Sequence, residues 1–231
     1  MSQAAPRRTP AGSRTAPRGA ADAAAVSLRL AAEHPGARTE LDHRDAFELL
    51  VATVLSAQTT DARVNSLTPG LFGRWPDPAA LAAAPEEEVT ALLRPLGMGP
   101  TRARRVIGLA AALLRDHGGE VPDDQAALEA LPGVGRKTAH VVRGAWFGHE
   151  LLAVDTHVGR LARRLGWTAA TDPRAVEEDV VSRVAADGAP EELTLLGLRL
   201  ILHGRRVCTA RAPRCEDCAL ADLCPSAGAA A

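Results

Sequence analysis

From Asp22 onward, apolar residues recur at three- and four-residue steps, and no stretch shows a persuasive strand-like alternation. Asp22 to Glu33 reads as a first helix closed by Pro35-Gly36. Asp45 caps a second, with Phe47, Leu50, Val51 and Val54 on one face. Thr60 or Asp61 starts a third (Val64, Leu67, Leu71), bent or ended by Pro69. Asp77-Pro78 opens a short turn of helix. Pro85-Glu86-Glu87-Glu88 opens another, whose acids suit the positive end of a helix dipole. Thr101 to His117 carries a stripe of Val106, Leu109, Ala110, Leu113 and Leu114. Asp124 to Leu131 is a short helix, and another beginning at Gly135 or Arg136 carries Ala139, Val142 and Trp146. Asp155 to Leu165, Asp172 to Ala186 and Glu191 to His203 complete a set of about ten. The pattern predicts an all-α fold. A composition shift between Gly148 and Leu152 divides it into two helical blocks.

The stretch Leu131-Pro132-Gly133-Val134-Gly135-Arg136-Lys137-Thr138-Ala139 joins two of these helices. Two glycines one residue apart are cheap only where the backbone takes φ > 0 or approaches something closely. A glycine cap between packing helices is the plain alternative. The functional reading is an anion site made by unpaired N–H groups at a helix start, and a nucleic-acid backbone is the natural polymeric anion. Lys137 favours function, because it is the only lysine in the chain against 26 arginines. Arginine keeps the charge and the phosphate contact but cannot shed its proton in a protein. A position held by lysine in such a chain points to the neutral amine, hence nucleophilic attack and Schiff-base formation. Chance retention is the competing explanation.

Val154-Asp155-Thr156-His157 precedes an apolar helical run, so Asp155 is an N-cap by pattern. It also reads as an acidic partner for Lys137. His157 reads as a satisfied helix-start histidine. The pairing is constrained: a free lysine is only ~0.04% neutral at pH 7. A carboxylate at 4 Å opposes deprotonation by about 4 kcal/mol at an effective dielectric near 20. Asp155 therefore cannot activate Lys137 by contact, and the expectation is a sugar-sized gap between them with no tight ion pair.

All four cysteines fall in one C-x6-C-x2-C-x5-C cluster: Cys208, Cys215, Cys218 and Cys224. Such clustering argues for a metal site in a reducing compartment. Tetrahedral zinc and a [4Fe–4S] cluster are both open, and the wide intervals favour the larger cluster. Leu193 to Cys215 carries Arg199, Arg205, Arg206, Arg211 and Arg214 and no acid, which reads as a phosphate-binding face. The net charge of −1 means that any DNA grip is a local patch. With three Trp, three Phe and no Tyr, the core must be aliphatic. No apolar run spans a bilayer. Met1 to Ala21, rich in Ala, Pro and Arg, is expected to be a disordered basic tail. Gln58 lies in a polar break between two helices, within reach of base edges if that loop faces DNA. Met98, held between Gly97 and Gly99, is either buried or a wedge for a base stack.

Together LPGVGRKTA (Leu131 to Ala139), VDTH (Val154 to His157), LSAQTTD (Leu55 to Asp61) and the cysteine spacing resemble the endonuclease III family, over roughly Ala25 to Pro225. The resemblance implies two helical domains gripping DNA in the groove between them. One is a six-helix block, about 39–149, with its helix-hairpin-helix at 125–144. The other joins the first helix (22–38) to the C-terminal part (150–231) and holds the cluster loop 208–224. It implies Lys137 as nucleophile, Asp155 as its assistant, and the four cysteines as [4Fe–4S] ligands. Gln58 would fill the space left by an extruded nucleotide, and Met98 would sit on the second intercalating turn. Further DNA contacts are expected at Leu131, Gly133, Val134, Gly135, Arg136, Thr138, His157, Arg205, Arg206, Arg211 and Arg214. The implied activity is removal of oxidised pyrimidines of the thymine glycol type, with lyase cleavage of abasic sites in double-stranded DNA. A monomer in the cytoplasm, at the nucleoid, is expected. The rivals are an adenine-mismatch glycosylase of the same superfamily and a non-catalytic DNA-binding or redox-sensing module.

Overall fold

The structure, a computed structural model, describes residues 19–189 and 192–228. Among these residues there are α-helices and short 3-10 turns but no strand. The helices are α1 (Ala23–Glu33), α2 (Ala46–Leu55), α3 (Asp61–Asn65), α4 (Thr68–Arg74), α5 (Pro78–Ala82) and α6 (Glu86–Leu93). They continue with α7 (Gly99–His117), α8 (Gln125–Ala130), α9 (Arg136–Ala145), α10 (Thr156–Arg164), α11 (Pro173–Ala186) and α12 (Leu193–Arg206). Twelve α-helices are therefore described where about ten were expected. The expected tail lies outside the described residues as far as residue 18, as does Glu191, the expected start of the last helix.

Short polar side chains set many of the starts. Asp22, Asp45, Asp77, Asp124, Asp155 and Asp172 each accept a backbone N–H from the first turn that follows. Each such cap stabilises its helix by about 1 kcal/mol. Two expectations are corrected. Pro69 neither bends nor ends a helix: it stands in the first turn of α4, where its missing N–H costs nothing, and the chain breaks earlier at Ser66 and Leu67. The tail ends before Ala21, which is 3% exposed, donates its N–H to the Leu165 carbonyl at 2.8 Å and accepts from Trp167 Nε1 at 2.7 Å.

Two hydrophobic cores form. In one, α2 packs on α9, and α7 packs on α5 and α6, around Leu50, Leu71, Leu93, Val106, Leu109 and Val142. In the other, α1 and α10 pack on α12 around Leu30, Leu161, Trp167, Val180 and Leu200, with Leu220 from the cysteine loop. The first helix thus joins the C-terminal elements, because its Val26 and Leu30 face is covered only there. Truncating a fully buried leucine such as Leu109 to alanine costs about 2–5 kcal/mol. No described helix is long and apolar enough to cross a membrane.

Candidate active site and cysteine centre

The turn between α8 and α9 needs one glycine for its conformation. Gly133 has φ +82°, and a Cβ there would stand 3.2 Å from Val54 Cγ1. Gly135 departs from expectation. Its φ is −111°, it meets no close neighbour, and it serves as the extended N-cap of α9. No side chain caps that helix start, so the backbone N–H groups of its first turn are left for an external acceptor. Leu131 and Val134 are buried in the first core, at 3% and 7% exposure. Of these two residues only the backbone is left to meet a ligand, because the turn needs its apolar side chains for packing. Thr138 is half-buried in the first turn of α9.

Lys137, exposed in the same turn, lines a cleft together with Thr53, Ser56, Asp61, Asp155 and Arg205. The cleft draws its walls from both cores. Asp155 reaches it from the N-cap of α10, where its Oδ1 accepts the N–H groups of His157 (2.8 Å) and Val158 (2.9 Å). Its Oδ2 stands 3.0 Å from His157 Nδ1. Burial works to raise the Asp155 pKa. The His157 ring, the Val158 N–H and the Lys137 charge outweigh it, so the carboxyl sits below its ordinary value. No ion pair joins Lys137 to Asp155 among the described residues, where the Asp155 carboxylate is held by His157 and the Val158 N–H. Gly204 brings α12 against this corner: a Cβ on it would meet His157 Cβ at 3.0 Å.

Several expected phosphate contacts are otherwise engaged. Arg136 makes a two-pronged bridge to Glu177 of α11, at 2.9 and 3.0 Å. Arg199 is buried and donates to the His34 carbonyl at 3.1 Å, so it belongs to the core and not to a phosphate face. Arg205 pairs with Glu40 and Asp61, Arg206 pairs with Glu40, and Arg214 donates to the Arg206 carbonyl. The run itself lacks acids, but Glu40 and Asp61 come from distant segments. Arg211 is exposed.

Gln58 and Met98 are both exposed, and among the described residues they are the non-glycine positions with positive φ, at 63° and 52°. Such backbone costs of order 1–3 kcal/mol and persists where surrounding structure enforces it. The residue that hydrogen-bonds both loops, Arg102, is absent from the sites expected from the sequence. It stands four residues before Val106 on the buried stripe of α7, an arginine at a core spacing.

Around the C-terminus all four cysteines are free, half-buried and face one cavity. Burial pushes the Cys218 and Cys224 thiols up, and the charges of neighbouring thiolates push them further. Arg164 Nη1 donates to Cys208 Sγ at 3.1 Å, and the Leu220 N–H reaches Cys218 Sγ at 3.4 Å. Four crowded sulfurs that penalise one another's ionisation, with donors already aimed at them, fit an electropositive metal centre.

Residues 51–186 match the HhH-GPD superfamily base excision DNA repair protein, which places the chain among the helix-hairpin-helix repair enzymes. Residues 208–224 match the iron-sulfur binding domain of endonuclease III. Endonuclease III of Synechocystis sp. is 44% identical over 207 residues, covering 88% of this chain and 92% of that protein. The Escherichia coli K12 enzyme is 42% identical, covering 86% and 92%. A trapped endonuclease III–DNA covalent intermediate, an estranged-adenine complex, superposes with a TM-score of 0.80 at 40% identity, covering 87% of this chain and 93% of that one. The chain belongs to the endonuclease III family. It is a base excision repair enzyme of the DNA glycosylase and abasic-site lyase class. Its cofactor is a [4Fe–4S] cluster, which Cys208, Cys215, Cys218 and Cys224 would hold. When bound, that cluster would supply iron to neutralise the thiolates and cross-link the four cysteines of the loop.

Proposed function

We propose that this chain acts as a monomer on double-stranded DNA bearing an oxidised pyrimidine of the thymine glycol type or an abasic site. It removes the damaged base and cleaves the strand by β-elimination through a Schiff base on Lys137. The observation that carries this reading is the cleft itself: the chain's only lysine and an acid committed to backbone and histidine donors face one space without pairing. The endonuclease III that superposes on this chain is a trapped covalent intermediate with DNA, which supports a nucleophile in the same groove.

The steps use this chain's own groups. The free N–H groups at the start of α9, with Gly133 keeping the turn low, bind a backbone phosphate of the strand. Gln58 fills the space of the extruded nucleotide and Met98 wedges the neighbouring step. The neutral Nζ of Lys137 donates its electron pair to C1′ as the C1′–N bond breaks, and the pair leaves on the base, which takes a proton from water. Asp155, ionised because its pKa is held down, stabilises the positive charge that develops at C1′ and accepts the proton released by the amine. The C1′–O4′ bond breaks to give the imine as O4′ takes the proton held by Asp155, C2′ then loses a proton to water, and the C3′–O bond breaks with its pair on the departing 3′ phosphate. Water then hydrolyses the imine and frees Lys137.

Lys137→Gln tests this. The variant is expected to bind an abasic duplex yet yield no β-elimination product; cleavage by β-elimination at the wild-type rate overturns the nucleophile assignment. A panel of lesion-bearing duplexes tests the substrate class, with thymine glycol excised fastest if the reading is right.

A further inference from the structure

The two strained loops are joined by one side chain. Arg102, 4% exposed in the first turns of α7, sends Nη1 to the Leu55 carbonyl, Nη2 to the Ala57 carbonyl at 2.7 Å and Nε to the Gly97 carbonyl at 2.9 Å. Its own N–H reaches the Met98 carbonyl at 3.0 Å. Ala57 and Gly97 are the residues immediately before Gln58 and Met98. A carbonyl and the next residue's N–H share one rigid peptide plane. Pinning the Ala57 and Gly97 carbonyls therefore fixes the planes that lead into the two positive-φ residues. The rigid fork of the guanidinium suits this task, since its donors point in set directions. Leu55 and Ala57 also lie at the C-terminal end of α2, where orphan carbonyls favour a cation.

We propose that Arg102 is a positioning residue that couples the two loops, so that Gln58 and Met98 enter the duplex as one unit. This rests on the reading of those two side chains as the DNA-probing groups. Arg102 touches no reacting atom. Its role falls on extrusion of a stacked base, which is the step that needs both inserts. An abasic nucleotide has no base to unstack, so its cleavage depends less on the latch.

The test compares base excision with abasic-site cleavage in the holoenzyme. Arg102→Met keeps the length of the side chain without its donors. It is expected to lower single-turnover excision of thymine glycol by about tenfold or more, as small misplacements do. Cleavage of a preformed abasic site is expected to fall by less than about threefold, because extrusion there is cheap. Arg102→Lys, which keeps the buried cation but not the fork, should lie between. A 2-aminopurine placed beside the lesion should brighten on binding wild type and less so with either variant. Equal loss of both activities, or no loss of excision, overturns the proposal. Should Arg102→Met fail to fold, the same ratio measured in Arg102→Lys decides. Gln58→Ala and Met98→Ala separate this failure from that of the underlying reading. If these two leave excision intact, the loops do not probe DNA; if they impair it while the Arg102 variants do not, the latch alone falls.

Discussion

Asp155 has two jobs in this account, and a pair of substitutions separates them. Asp155→Ala removes the acceptor of two backbone N–H bonds, at 2.8 and 2.9 Å, from the start of α10. Losing such a cap costs about 1–2 kcal/mol. For a chain of this size each kcal/mol lowers Tm by roughly 2–4 °C, so Tm falls by about 2–8 °C. Asp155→Asn retains an oxygen in the same place, and asparagine caps as well as aspartate, so the cost stays within about 0.5 kcal/mol. Both variants delete the charge that faces Lys137 across the cleft. Single-turnover cleavage of an abasic duplex should therefore fall by about 10²–10⁴-fold in each, the usual scale for a lost acid–base group. The assay pairs thermal melts with single-turnover kinetics at saturating enzyme, and duplex binding is measured alongside. Activity that survives in Asp155→Asn, or a loss that tracks Tm across the two variants, would refute the chemical role and leave only the cap. The pH dependence has a defined sign. Because the carboxyl is held below its ordinary value, its stabilisation is complete above the ordinary carboxylate range and is lost only as pH falls through the depressed pKa.

Gly133→Ala should destabilise by about 1–2 kcal/mol, since φ is +82° and the new Cβ would press on Val54; an unchanged melt contradicts the turn geometry. Met98→Gly relieves a left-handed backbone, so it should hold or raise stability by up to about 1 kcal/mol while lowering base excision; a lower Tm with intact excision contradicts the wedge. Cys218→Ser should reduce bound iron and bleach the yellow-brown colour expected of the purified protein, and full iron content in that variant would exclude Cys218 as a ligand.

Local events are legible in the sequence. A cap such as Asp45 announces itself because its acceptor serves N–H groups within four residues. The cysteine cluster is readable for the same reason, its ligands lying within one loop. Long-range pairing is not legible. Arg205 reads as free for phosphate because its acids, Glu40 and Asp61, come from 165 and 144 residues away. Arg136 likewise finds Glu177 across 41 residues. Pro69 misleads because the same ring that breaks a helix interior is welcome in a first turn. Gly135 misleads because a glycine at an N-cap and one at a left-handed turn leave the same letter. Arg102 carries a usable signal, a cation on an apolar stripe, but its meaning needs the three carbonyls in place.

In the proposed mechanism one amine forms the bond to DNA. Borohydride reduction during turnover on an abasic duplex should give a stable protein–DNA adduct, and peptide mapping should place the sugar on the fragment containing Lys137. An adduct mapped to any other amine, or none at all under conditions where the strand is cleaved, would contradict it.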